Sequence, residues 1–174
     1  MPMINKHTAQ GGDWPMNNKR AADAATLMRE RYVEIWPKIL DPWTQYLISA
    51  RSAFDGDMDK MIILAVIGLA TLQDGRVLAH PTSSLKYDDL GDDRAKRADA
   101  RPINIESISL YTGIPRESVR RKVRELIARR WVARDTRGYL VVLSAAAIDL
   151  EPLSTLLFRL IGRISNEIND HLSL

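Results

Sequence analysis

The side chains with the most chemical potential in this sequence are gathered in "GIPRESVRRKVRELIARR", where Arg116, Glu117, Arg120, Arg121, Lys122 and Arg124 follow one another within nine residues. A guanidinium offers a planar fork of donors that can hold two acceptors at once, those of a guanine edge or of a phosphate. A carboxylate such as Glu117 can accept from the cytosine amino group, and a good bidentate pair discriminates between bases by about 1–3 kcal/mol. Arginines that meet phosphates instead add affinity and salt dependence but little sequence preference. The same element must also bury Val119, Val123 and Leu126, so its charge lies on a helix that is packed on one side.

Other chemistries find little support. There is no cysteine, which excludes disulfides, thiolate metal sites and thiol nucleophiles. His7, His80 and His171 are far apart and none has an acidic or histidine partner three or four residues ahead, so they read as solvated or capping side chains and no metal site is expected. Distinctive carboxylate pairs, a Ser and His arrangement at a recognisable turn and a phosphate-cradling glycine loop are all missing, since "GGDW" at 11–14 sits in a polar arm. Neither catalysis nor a cofactor is expected.

Charge distribution supports the first reading. Residues 101–143 carry ten Arg or Lys against four Asp or Glu, whereas 1–100 carry 13 against 14 and 144–174 two against four. A surplus of positive charge in one quarter of a 174-residue chain is the footprint of a polyanion-binding module on a near-neutral body. The N-terminus lacks an apolar core of signal-peptide length, and "MIILAVIGLATL" at 61–72 is too short to span a bilayer, so a cytoplasmic protein without membrane contact is expected.

The elements that must position the basic helix follow from periodicity and punctuation. Residues 1–20 read as a mobile arm that Trp14 could pin, and 21–79 as a helical body. In that body a first helix from Ala21 stops before Pro37, a second starts with Asp41 as N-cap and Pro42 at its first position, and a third over 58–73, apolar nearly all round, is central and buried until Asp74-Gly75 closes it. Residues 80–101, with Arg94, Lys96 and Arg97, form a charged linker. Residues 144–174 form a C-terminal helix whose apolar stripe at 153, 156, 157, 160, 161, 164, 168 and 172 is wide enough to meet a second copy, so a homodimer is expected. Trp36, Trp43, Tyr46 and Phe54 are the aromatics around which a small-molecule effector, if there is one, would bind; core packing is the plainer reading of their spacing.

Between these lies 102–143. Asn104 caps a helix over 105–111, "TGIP" turns the chain with Gly113 free to take a positive φ, and a second helix runs from Arg116 to about Arg129. Trp131 and Val132 then enter a hairpin over 132–143 that turns at Thr136 to Gly138 and carries Arg134 and Arg137 near its tip. This succession resembles the bacterial winged helix-turn-helix transcriptional regulators. "GIPRESVRRKV" is locally similar to the DNA-reading helix of the catabolite activator protein family, with its glycine, two residues, then Arg-Glu-Thr-Val-x-Arg, Ser118 standing for threonine. Pro115 replaces that family's hydroxyl-bearing cap, Lys122 stands where an aliphatic residue is usual, and nothing resembles its cyclic-nucleotide domain.

The resemblance implies a mostly α fold, a winged helix-turn-helix with a two-stranded β wing, flanked by N-terminal and C-terminal helices. It implies binding to double-stranded DNA, with Arg116, Glu117 and Arg121 at base edges. Arg120, Lys122 and Arg124 are placed off that face to meet backbone phosphates together with Ser118, and Arg134 and Arg137 of the wing to reach the backbone or minor groove. The alternative is an adaptor whose winged helix binds a protein and touches DNA only weakly and without sequence preference.

Overall fold

The computed structural model describes residues 19–72, 87, 90 and 102–172. The expected arm with Trp14, the Asp74-Gly75 stop, His7, His80 and the segment bearing Arg94, Lys96 and Arg97 lie outside the described residues. Within them the chain is mostly helical, with one two-stranded antiparallel sheet. The order is α1 (Lys19–Glu30), α2 (Tyr32–Ala53), α3 (Met58–Leu72), α4 (Ile105–Thr112), α5 (Arg116–Ala128), β1 (Val132–Arg134), β2 (Leu140–Val142), α6 (Ser144–Asp149) and α7 (Glu151–Leu172). Two compact units arise, Met1–Gln45 with Phe158–Leu174, and Tyr46–Leu157, so α2 and α7 each contribute to both.

In the first unit Ile35, Ile39 and Leu160 are buried. Polar contacts join α2 to α7: Lys38 pairs with Glu167, and His171 Nε2 lies 3.6 Å from Glu34 and, within its own helix, 3.2 Å from Glu167. His171 is therefore not a solvated side chain; its partner Glu167 stands four residues behind it, on the side that a forward search misses. The Glu167 carboxyl is held below its usual range, first by the hydrogen bond from Lys38.

The prolines do not stop the helix. α2 runs through both Pro37 and Pro42, although each removes one donor that an interior turn normally uses. The carbonyls left over belong to Val33 and Lys38, both exposed residues, where water can take up the missing bond. Ile35 and Ile39, one turn apart and buried, supply the apolar face that keeps the helix going.

The core of the second unit is built from α3, α4, α5 and the hairpin, with Ile63, Ile67, Ile108, Val119, Val123 and Leu126 at its centre. α3 is less enclosed than its composition predicts, since Ile62 and Leu69 remain 42% and 49% exposed on the side away from Ile63 and Ile67. Thr71 is buried and locks α3 to the sheet: its Oγ1 donates to the Ile67 carbonyl at 2.8 Å and accepts the Val142 N–H at 3.1 Å. Trp131 meets Phe54 edge-on at 5.5 Å and donates its Nε1–H to Asp149 at 2.7 Å, which ties β1 to the end of α6.

Two helices end in the same left-handed cap. At α2, Gly56 N–H reaches the Arg51 carbonyl and Asp55 N–H that of Ser52, with Asp55 at φ 54°. At α5, Trp131 N–H reaches Leu126 and Arg130 N–H reaches Ile127, with Arg130 at φ 59°. This pair of bonds is the Schellman arrangement, which usually has glycine at the left-handed position.

Candidate nucleic-acid interface

The interface begins with a short capped helix. Asn104 accepts the Ser107 N–H at 2.9 Å and starts α4; Gly113, at φ 73°, ends it by donating its N–H to Ser109. The Ser109 hydroxyl donates to the Ile114 carbonyl at 2.8 Å across the bend and so closes the turn. Pro115 precedes α5 with no side-chain cap bond.

On α5, Val119, Lys122, Val123 and Leu126 are buried, while Arg116, Glu117, Arg121 and Arg124 are exposed and Arg120 and Ser118 are half-buried. At about 100° per residue, Arg116, Glu117, Arg120, Arg121 and Arg124 fall within one arc of about 140°. Arg120 and Arg124 therefore share the face of Arg116, Glu117 and Arg121, where the sequence reading set them apart. Three exposed pairs order these arginines: Arg116 with Glu106 at 3.2 Å, Arg120 with Glu117 at 3.3 Å and Arg121 with Glu125 at 3.9 Å. Exposed pairs of this kind contribute less than about 1 kcal/mol each, so a polyanion can displace the carboxylates.

Lys122 is the departure from the expected phosphate contacts. Its side chain is only 7% exposed and its ammonium pairs with Asp57 and, at 3.3 Å, Asp59. Lys122 thus points into the α2–α3 connection and cannot join the exposed arc. Around it the same connection binds α5 twice more: Lys60 bridges Glu125 at 2.7 Å and Asp55 at 3.4 Å, and Arg129 pairs with Asp55 and donates to the Ala53 carbonyl at 3.2 Å. Burial would raise the Asp57 carboxyl, but the hydrogen bond and charge of Lys122, with help from Lys60, outweigh it and hold the group below its usual value. Asp55 is lowered first by its bond from Arg129, Glu125 first by its bond from Lys60, and Lys60 is raised in turn by Glu125.

The hairpin pairs Val132 with Val142, Ala133 with Val141 and Arg134 with Leu140, and Leu140 N–H also reaches the Ile103 carbonyl at 2.9 Å. Asp135 shapes its tip by accepting the N–H groups of Arg137 and Tyr139 at 2.9 and 2.8 Å, with Gly138 at φ 84°. Both Arg134 and Arg137 are exposed; Arg134 donates to the Gly138 carbonyl, and Arg137 pairs with Asp135 and lies 5.4 Å over the Tyr139 ring. The arrangement brings together a packed helix with a cationic outer arc and a short basic hairpin, which can engage phosphates and base edges.

No helix among the described residues is long and apolar enough to cross a membrane. No family model, curated protein or solved structure matches the chain.

Proposed function

We propose that this chain is a sequence-specific DNA-binding transcriptional regulator of the bacterial winged helix-turn-helix type, without catalytic activity and working in the cytoplasm. The observation that carries the reading is the two-sided character of α5: one side is buried and clamped by Lys122, Glu125 and Arg129, and the other presents Arg116, Glu117, Arg120, Arg121 and Arg124 along one arc. A reading helix needs that combination, because base contacts demand a fixed orientation as well as charge. Arg116, Glu117 and Arg121 meet base edges, Ser118, Arg120 and Arg124 the phosphates, and the hairpin acts as the wing through Arg134 and Arg137. The protein acts as a homodimer on half-sites about 34 Å apart. The outer edge of the α7 stripe, Leu156 and Ile161, is 39% and 55% exposed and is the contact assigned to the second copy.

The test is selection from random duplex DNA at about 150 mM salt with the full chain, with Arg116→Ala and with Arg121→Ala. A near-palindromic motif that loses positions in the two variants is expected. Absence of any enriched motif, with the three proteins behaving alike, sinks the reading. It would favour a protein-binding adaptor, for which Leu110 and Tyr111, 79% and 74% exposed on α4, are the surface to examine.

A further inference from the structure

The second unit contains a cavity of about 250 Å³. Its walls come from the end of α2 and the residue after it (Tyr46, Phe54), α3 (Leu64, Gly68), β2 (Val142) and the α6–α7 region (Ala147, Leu153, Ser154). Of the four aromatics named for an effector, if there is one, Tyr46 and Phe54 line it and Trp36 and Trp43 do not. No charged side chain lines it among the described residues. The hydroxyls of Tyr46, Thr71, Tyr87 and Ser154 interrupt an otherwise apolar surface, and that of Thr71 is committed to Ile67 and Val142. Burial pushes the Tyr46 phenol above its usual pKa, so it stays a neutral donor and acceptor.

We infer that this cavity is a binding site for a small uncharged ligand, a one- or two-ring apolar molecule bearing a single hydroxyl, carbonyl or N–H group. Size sets the scale, since an apolar cavity of about 150 Å³ holds benzene and this one is larger by roughly one further ring. Charge sets the class: an anion or cation entering this lining loses its hydration with no opposite charge to replace it. The wall at Gly68 points to the same use. Among the described residues a Cβ there would meet only Val142, at 3.8 Å, so their packing does not require glycine, which is a poor helix former. Its absence of a side chain leaves the volume open. An occupant touches the sheet directly through Val142 and indirectly through Phe54, which packs on Trp131 just before β1.

The inference stands whether or not the chain binds DNA, and its test uses the full chain with no DNA present. Fluorine NMR titrations would compare 5-fluoroindole and 4-fluorobenzyl alcohol with 4-fluorobenzoate, and amide spectra of the wild type would locate the contact. Saturable binding of at least one neutral probe is expected, tighter than the carboxylate by about tenfold or more, with shifts centred on Gly68, Val142 and Ala147. Gly68→Leu and Ala147→Leu each place a side chain in the volume and should weaken binding by about tenfold or more; a folded variant of either kind suffices. Lack of saturation by both neutral probes, equal affinity for the carboxylate, shifts centred elsewhere, or undiminished binding in a folded filled variant overturns the assignment. The first of these is also the result expected if the chain's own 73–101 segment fills the cavity.

Discussion

Removing either member of the Lys122–Asp57 pair breaks the same contact, yet the two substitutions should have unequal effects. Lys122 is 7% exposed and Asp57 24%, so the group left behind differs in how much water it can recover. Asp57→Asn keeps the shape and one acceptor oxygen but removes the charge, leaving a nearly buried ammonium with the carboxylate of Asp59, itself 47% exposed, at 3.3 Å. Losing one partner of a fully buried pair costs about 3–5 kcal/mol; with Asp59 retained, about 2 kcal/mol is expected here. Lys122→Met fills the space with an apolar chain and leaves a carboxylate that still has Lys60 and some solvent, for about 1 kcal/mol. The double substitution should cost less than the sum by at least about 1 kcal/mol, because neither charge is then stranded. Urea unfolding at pH 7 followed by far-ultraviolet circular dichroism measures all four proteins. The reasoning fails if Lys122→Met costs as much as Asp57→Asn, or if the two effects add within about 0.3 kcal/mol.

Two glycines should respond to alanine with opposite signs. Gly113→Ala meets open space but must hold φ 73°, a cost of about 1–2 kcal/mol, whereas Gly68→Ala sits at ordinary helical φ and should stabilise by about 0.5–1 kcal/mol; thermal midpoints of the two variants decide it. Stability of the second unit should also depend on pH at both ends. Asp55, Asp57 and Glu125 have lowered values, so their contribution is complete above the ordinary carboxylate value of about 4 and is lost as pH falls through the lowered ones. Lys60 is raised, so its contribution is complete below about 10.4 and is lost as pH rises through its folded value. Acid titration of Asp57→Asn should show a shallower loss than the wild type, and an identical profile would count against the pairing.

What the sequence made legible was local. Asn104, Gly113 and the Val119, Val123, Leu126 spacing act within one or two turns, and cap, bend and buried face lie where those residues place them. The failures were of longer range. Lys122 pairs with a residue 65 positions away, and its own position gave half of the hint, since it is the one basic residue on the buried spacing of α5. The alternating acids Asp55, Asp57 and Asp59 were the other half of that signal. Pro37 and Pro42 misled because a missing donor stops a helix only where the freed carbonyl cannot be solvated and no apolar face carries the chain onward. Arg120 and Arg124 were set off the face of Arg116, Glu117 and Arg121 although a fixed 100° step puts them on it.

The left-handed caps of α2 and α5 divide natural history from engineering. Glycine at 55 or 130 would relieve backbone strain of about 1 kcal/mol at each site, so a lineage selected for thermal endurance alone would have drifted toward it. At Asp55 the strain is offset by the links to Arg129 and Lys60, and glycine would forfeit them. Arg130 is exposed, and no side-chain link among the described residues offsets its strain. Directed evolution for heat tolerance should therefore converge on Arg130→Gly and leave Asp55 untouched.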